Sequence, residues 1–304
     1  MLDVICIVGP TAVGKTRMGV KLAKKLGGEV ISGDSMQIYR GMDIGTAKAT
    51  LEEREGIIHH LLDEKNPDED YSVAEFQKTV RAKIADIKSR NKVPIIVGGT
   101  GLYIKAVLYD YEFTAEGAGS SREDEKRFDC LSNDQLHAKL AEIDVKAAAD
   151  IHPNNRKRII RALEIFETSG EKKSEMIEQQ KHELFYGAAI IGLTDARPVL
   201  YDRINKRVDA MVQNGLLEEV RALMGTGIAE TSQAMRAIGY KELYPYFRHE
   251  MELEQAVELI KRNSRRYAKR QFTWFNNQMK VDWFNVDVEN FDKTVEEVLE
   301  FLSR

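Results

Sequence analysis

The sequence has two cysteines in 304 residues, Cys6 in an apolar run and Cys130 in a polar one. That pair is too sparse and too far apart for a disulfide framework or for the spacing of a metal site. A reducing compartment fits such usage. No apolar run approaches the ~18 residues of a membrane helix, and the opening MLDVICIVGP lacks a charged segment followed by a small-residue cleavage site. The expectation is a soluble, cytoplasmic protein with no membrane partner. Positive charge is not in excess either: 45 Lys and Arg stand against 49 Asp and Glu, a net charge of −4. This argues against a protein coated in positive charge, although a net value hides local clusters. Internal repeats and low-complexity tracts are absent. What is present is a 43% hydrophobic chain, long enough for one large domain with an insertion or for two domains.

The first hundred residues alternate short β-rich runs with helical patterns, the signature of parallel strands joined by crossover helices. Val4 to Val8, Glu29 to Ser32 and Val93 to Val97 read as buried strands, and Thr16 to Leu26 as a lysine-rich helix. Ser72 and Glu75 have capping-box spacing ahead of Val73, Phe76, Val80, Ile84 and Ile87 at helical period. From Thr114 to Lys126 the stretch TAEGAGSSREDEK loses its apolar period, and the chain to about Tyr186 reads as helical. AAIIGL (188–193) returns to strand character, VDWFNVD is a late short strand, and a last helix has Asp292 as its expected cap. The expected fold class is α/β: a phosphate-loop type of parallel sheet flanked by helices, with a helical insertion. Residues 1–113 and 188–304 would form the core domain and residues 114–187 the insertion.

GPTAVGKT, residues 9–16, follows an apolar strand and opens a helix. Gly9, Gly14, Lys15 and Thr16 complete the phosphate-loop spacing, in which backbone N–H groups close round phosphate oxygens, the lysine adds a point charge and the Thr16 hydroxyl can ligate Mg²⁺. Nucleotide hydrolases add an acid at the end of a nearby strand. Here Val93 to Val97 runs into GGTGLY, with no carboxylate at its tip, which weakens an ordinary ATPase or GTPase reading. The acidic candidate is Asp34 in GDSMQIY. Strand C-termini of a parallel sheet share one edge, so Asp34 can face whatever sits on the phosphates; the alternative is a plain turn aspartate.

Two basic clusters break the overall acidity. KRNSRRYAKR (261–270) contains no acid, and Arg262, Arg265, Arg266 and Lys269 fall on one helical face, followed by Phe272, Trp274 and Phe275. NNRKRIIRALE places Arg158 and Arg161 one turn apart. Phosphate neutralisation beside aromatic surface is the basis of RNA recognition, while solvated helix faces are the bland alternative. Arg203 and Arg207 share another face, suited to a phosphate clamp or to salt bridges with Asp202 and Asp209. His59 and His60 are adjacent, point apart and have no third ligand nearby, so a structural or site-lining role is expected.

GPTAVGKT, GDSMQIYRGMDIGTAK, HHLLD, VGGTGLYIKA, RKRIIRALEIFETSG, GYKE and RQFTWF together closely resemble the tRNA dimethylallyltransferases, also called tRNA isopentenyltransferases, in order over nearly the whole chain. The resemblance implies transfer of a dimethylallyl group from dimethylallyl diphosphate to the exocyclic amine of the adenosine just 3′ of a tRNA anticodon. It implies Mg²⁺ as cofactor and Asp34 as general base. Gly9, Thr11, Ala12, Val13, Gly14, Lys15 and Thr16 would surround the diphosphate, with Thr11, Lys15 and Arg207, or Arg203 in its place, assisting catalysis. Asp34, Ser35, Met36, Gln37, Thr100, Arg122, Lys157, Arg158, Arg161, Arg270, Gln271 and Trp274 would contact the anticodon stem-loop. The family's second basic motif has glutamine where this chain has Lys157, while Arg158, Arg161 and Ala162 match. A phosphate-loop small-molecule kinase, an enzyme prenylating free AMP or ADP, and a non-catalytic RNA-binding module are the competing readings. The oligomeric state is left open, with a monomer favoured.

Overall fold

A computed structural model describes residues 2–111, 127–179 and 183–304. Six parallel strands form one sheet in the order β3-β2-β4-β1-β5-β6: β1 Val4–Val8, β2 Gly28–Ser32, β3 His59–His60, β4 Val93–Val97, β5 Ala188–Thr194 and β6 Asp282–Asn285. The centre is β4-β1-β5, rich in Val and Ile, and every residue of β1 is buried. Unbroken apolar runs of this kind are what a parallel sheet covered on both faces demands. The edge strands β3 and β6 are the two shortest, which limits the unpaired backbone on the sheet's borders.

The helices that matter below are α1 Lys15–Leu26, α2 Val73–Ser89, α3 Gly101–Leu108, α4 Asn133–Ile143, α5 Arg156–Ser169, α6 Arg197–Gln213, α7 Leu216–Gly225, α8 Leu253–Gln278 and α9 Phe291–Leu302. Met18, Leu22 and Ala23 of α1 and Val295 and Val298 of α9 join Ile5, Ile7, Ile95 and Ile191 in one core. Each of these Val, Ile, Leu and Met side chains contributes roughly 1.5–3 kcal/mol on burial. Ser72 caps α2 by accepting the Glu75 N–H at 3.1 Å, but Glu75 turns its own carboxylate to Lys65 at 2.9 Å, so only half of the expected capping box forms. The cap of α9 is Asn290, whose side chain accepts the Lys293 N–H; Asp292 instead pairs with Lys21 at 3.3 Å.

The chain divides into two compact units, one made of Met1–Leu108 with Phe185–Arg304, the other of Tyr109–Leu184. The second has its own core, built by Leu136 and Leu140 of α4 against Ile159, Ile160 and Leu163 of α5.

One buried charge braces the sheet. Glu29 on β2 is 1% exposed and binds the Arg90 guanidinium, His60 Nε2 at 2.7 Å and Lys92 Nζ at 3.0 Å. Arg90 is the main cause that holds this carboxyl well below the usual range, with His60 and Lys92 adding to it. Because the folded-state value is depressed, the stabilisation is complete above the unfolded value, about 4.3, and fades as pH falls below it. Glu29→Gln should therefore cost ~2–3 kcal/mol in urea unfolding at neutral pH, with the gap to wild type closing in acid. A gap that stays constant with pH would refute this account.

Candidate active site

The C-terminal edge of the sheet is shaped by glycines. A Cβ on Gly98, after β4, would lie 2.3 Å from the backbone carbonyl of Gly33, after β2, so these two strand ends can touch only without side chains. Gly9 leaves β1 with φ 139°, and a Cβ there would fall 2.4 Å from the Leu193 carbonyl oxygen. Ala12 (φ 65°) and Gly14 (φ 101°) take left-handed conformations, an alternation that gathers backbone N–H groups into an anion-binding concavity. Val13 sends its side chain into the core. Gly14 caps α1 without any side-chain partner and no acid occupies the first turn, so the helix end presents free N–H groups and a positive dipole.

Charged side chains converge on a cavity of about 750 Å³, lined among others by Thr11, Lys15, Thr16, Asp34, Gly99 and Arg207. Lys15 Nζ donates to the Pro10 carbonyl at 2.7 Å across the loop. Arg207 of α6 brings a guanidinium N–H to 3.4 Å from Thr11 Oγ1. Arg203, one turn earlier, is held by Asp195 at 2.6 Å, while Asp202 and Asp209 pair with Lys206 and Lys261. Asp34 Oδ1 accepts the Met36 N–H at 2.9 Å. Burial raises the Asp34 carboxyl, against the pull of that amide, Lys15 and Arg207. Burial, reinforced by Arg207 and opposed by Asp34, pushes the Lys15 ammonium down to about 7. Burial also lowers Arg207. Among the charged groups that line the cavity, Lys15, Asp34 and Arg207 are perturbed chiefly by desolvation, and an entering anion would relieve both of these cations.

The surrounding residues fix this geometry. The Ser35 N–H donates to Thr100 Oγ1 at 3.1 Å. Gln37 accepts from Ser32 Oγ at 3.0 Å and donates to the Thr46 carbonyl at 3.2 Å, so its amide is committed to its own chain. Gln271 of α8, 5% exposed, also turns inward: Oε1 accepts the Thr11 N–H at 2.9 Å and Nε2 donates to the Gly99 carbonyl at 3.0 Å. Tyr267, one turn before it, lies among Asp34, Thr100 and Gln271, and burial together with the Asp34 charge pushes its phenol up to about 12. Nothing in the spacing of the sequence marks Tyr267, the one aromatic within KRNSRRYAKR. His59 lines the cavity with Nδ1 against the Ile57 carbonyl, and among the described residues no group of three His, Cys, Asp or Glu could hold a metal.

On its outer side α8 forms a groove with Arg266, Lys269, Arg270, Thr273, Trp274, Asn277 and Gln278. The indole packs on Gly101, where a Cβ would meet it at 2.2 Å. Of the basic face expected from the helical period, Arg265 binds the neutral Asn205, while Lys261, off that face, pairs with Asp209 at 2.7 Å. Of the expected aromatics, Phe275 is in the core and Phe272 packs on Trp283, which leaves Trp274 facing the groove. In the second unit Lys157 and Arg158 are exposed on α5, and Arg158 and Arg161 lie near enough to Lys173 to lower it beyond the effect of its burial. Arg122 lies outside the described residues.

A phosphate loop at the C-terminal edge of a parallel sheet, opening on a cavity lined by Lys15, Arg207 and Asp34, defines a phosphate-loop type of α/β protein. Residues 37–278 match the model of the IPP transferase family, and the chain belongs to that family. It is 54% identical over 297 residues to a tRNA dimethylallyltransferase of Bacillus cytotoxicus, covering 96% of this chain and 92% of that protein. Among solved structures it is similar to a tRNA delta(2)-isopentenylpyrophosphate transferase from Staphylococcus epidermidis, at 46% identity, TM-score 0.74, and coverage of 99% and 98% of the two chains. A eukaryotic dimethylallyltransferase, captured acting on tRNA, matches at 30% identity and TM-score 0.84, over 99% of this chain and 79% of that one. Among the described residues no helix is long and apolar enough to cross a membrane.

The lowered ammonium of Lys15 gives the anion site a pH signature. An anion favours the protonated lysine, so above about 7 binding must first take up a proton. Affinity for sulfate, doubly charged throughout, should fall up to ~tenfold per pH unit above that value. Lys15→Met should bind sulfate weakly, with a flat pH profile. Calorimetric titration in buffers of different ionisation enthalpy reads both, and a flat wild-type profile would contradict the assignment.

Proposed function

We propose that this chain transfers a dimethylallyl group from dimethylallyl diphosphate to the N6 amine of an adenosine in tRNA, next to the anticodon on its 3′ side, releasing diphosphate. The observation that carries the reading is the Asp34 carboxylate sharing one cavity with the phosphate loop, Lys15 and Arg207. A kinase would need its acceptor beside a nucleotide, and β4 is followed by Gly98 and Gly99, where many phosphate-loop hydrolases carry the magnesium acid. Family membership and the activities named for its relatives point the same way.

In this reading the diphosphate lies on the N–H groups of residues 12–16, with the Lys15 ammonium and the Arg207 guanidinium on its oxygens. The allylic C1–O bond breaks and its electron pair leaves with the diphosphate; these donors stabilise the charge as it develops. The adenine amine forms the new N–C bond, and its proton passes to Asp34, whose raised carboxyl makes it a stronger base than an exposed aspartate. The Thr16 hydroxyl would hold Mg²⁺, which would supply charge neutralisation for the leaving group. Oxygen ligands of that kind suit this hard cation without an all-protein cage. Ser35 and Thr100 would border the acceptor base, which must leave its stack to reach the cavity. Trp274, Arg270 and their neighbours on α8 supply an aromatic and cationic groove for RNA, and Lys157, Arg158 and Arg161 supply basic surface on α5.

Incubation with radiolabelled dimethylallyl diphosphate, Mg²⁺ and unmodified tRNA should label the RNA, while AMP or ATP in place of tRNA stays unlabelled. Asp34→Ala should lower kcat by roughly 10²-fold or more, with tRNA Kd changed little, because its hydrogen bond strengthens mainly in the transition state. Loss of tRNA binding in parallel with kcat would remove Asp34 from the role of base.

A further inference from the structure

The turn of residues 43–48 contributes Asp43, Ile44, Thr46, Ala47 and Lys48 to the cavity wall. It closes on itself through Ala47 N–H to the Ile44 carbonyl and Lys48 N–H to the Asp43 carbonyl, both at 2.9 Å. From outside it is held by one carboxylate. Glu219, on α7, accepts the N–H groups of Asp43 (2.8 Å) and Ile44 (2.7 Å) on Oε2, and that of Gly45 (3.0 Å) on Oε1. The Tyr240 hydroxyl donates to Oε1 at 2.6 Å, giving each oxygen two donors. Tyr240 itself is fully buried, and its ring lies where a Cβ on Gly45 would be, 2.4 Å away. From inside, Gln37 holds the same turn at the Thr46 and Ala47 carbonyls. Three consecutive backbone amides focused on one carboxylate are the device by which proteins bind anions. Here the chain satisfies it internally, with a side chain 174 residues or more away in sequence.

We propose that Glu219 and Tyr240 are positioning residues that hold this turn as a fixed wall of the donor cavity, so that the allylic diphosphate reacts with the RNA amine and not with water. The inference rests on the transferase reading above. Its chemistry is a competition for one carbon. When the C1–O bond breaks, the allylic carbon accepts an electron pair from the adenine amine or from water. Water gives dimethylallyl alcohol and diphosphate, and the extra proton passes to solvent. A wall tethered by four hydrogen bonds to one carboxylate limits water entry without filling the space that the donor needs. Glutamine at 219 keeps the size but turns an NH₂ group towards two of the four donors.

The test measures partition in the full-length protein. Wild type, Glu219→Gln and Tyr240→Phe are given radiolabelled dimethylallyl diphosphate and tRNA well below their melting temperatures, and labelled RNA and labelled alcohol are counted together. The hydrolysed fraction should rise about tenfold in Glu219→Gln and about threefold in Tyr240→Phe, in keeping with the number of charge-assisted bonds each loses. A brace that serves stability alone would lower Tm and leave the ratio of alcohol to labelled RNA at the wild-type value, and that result overturns the proposal. If Glu219→Gln does not fold, the ratio in Tyr240→Phe decides. Wild-type protein that labels no RNA overturns the transferase reading and this inference with it, whereas labelled RNA with unchanged partition overturns this inference alone.

Discussion

The site depends on the Gln271 amide, which accepts from the Thr11 N–H and donates to the Gly99 carbonyl. It joins three segments that meet nowhere in sequence: the phosphate loop, the turn after β4 and the long helix α8. The job needs a donor and an acceptor on neighbouring atoms with no net charge. Glutamate would lose the donor facing Gly99 and set a second carboxylate near Asp34, while lysine would lose the acceptor. The glycines of the β4 turn make the approach feasible, because a Cβ on Gly99 would lie 2.1 Å from Gln271 Nε2 and one on Gly101 would strike Trp274. Through this clamp α8 has two duties. Its inner side closes the phosphate loop, its outer side forms the cationic groove, and a rigid helix couples the positions of the two.

The charges around the cavity are set against stability. Lys15, Asp34 and Arg207 are all perturbed mainly by burial, and their mutual attraction offsets that cost only in part. A core designed for stability alone would replace them with apolar groups. Away from the cavity, buried Glu29 is paired with Arg90, His60 and Lys92. The contrast separates ions that hold the fold from ions arranged for a ligand.

Much of this was legible in the sequence where the signal is local. Strands β1, β4 and β5 show as continuous apolar runs, and the phosphate loop shows as a spacing between strand and helix. Helix caps were less legible, because Asn290 and Asp292 are both capping residues two positions apart and only the backbone decides between them. Periodicity placed Arg203 and Arg207 on one face; Asp195 separates them by engaging the first. On the basic face that the same periodicity gave α8, Arg265 turns its guanidinium to Asn205 of α6, a contact the spacing does not show. Phe275 followed an RNA-binding pattern in composition and entered the core in fact. Contacts such as Gln271 with Thr11, or Glu219 with residues 43–45, leave no local trace because each partner satisfies the ordinary rules of its own element.

These long-range polar contacts explain how the cavity stays open yet defined. Protein interiors usually fix geometry by filling space, which a ligand site cannot do. Here part of the cavity wall is made of small residues, Gly14, Ala47, Ala49, Gly98 and Gly99, whose side chains leave the volume open. Rigidity must then come from backbone groups held at their hydrogen bonds. Gln37, Glu219 and Gln271 each grip main-chain atoms, and each comes from a different segment. An amide or a carboxylate directed at the backbone specifies position within a few tenths of an ångström without projecting bulk into the pocket. Apolar packing does its work one layer further out, in the sheet and the helices that carry these three side chains.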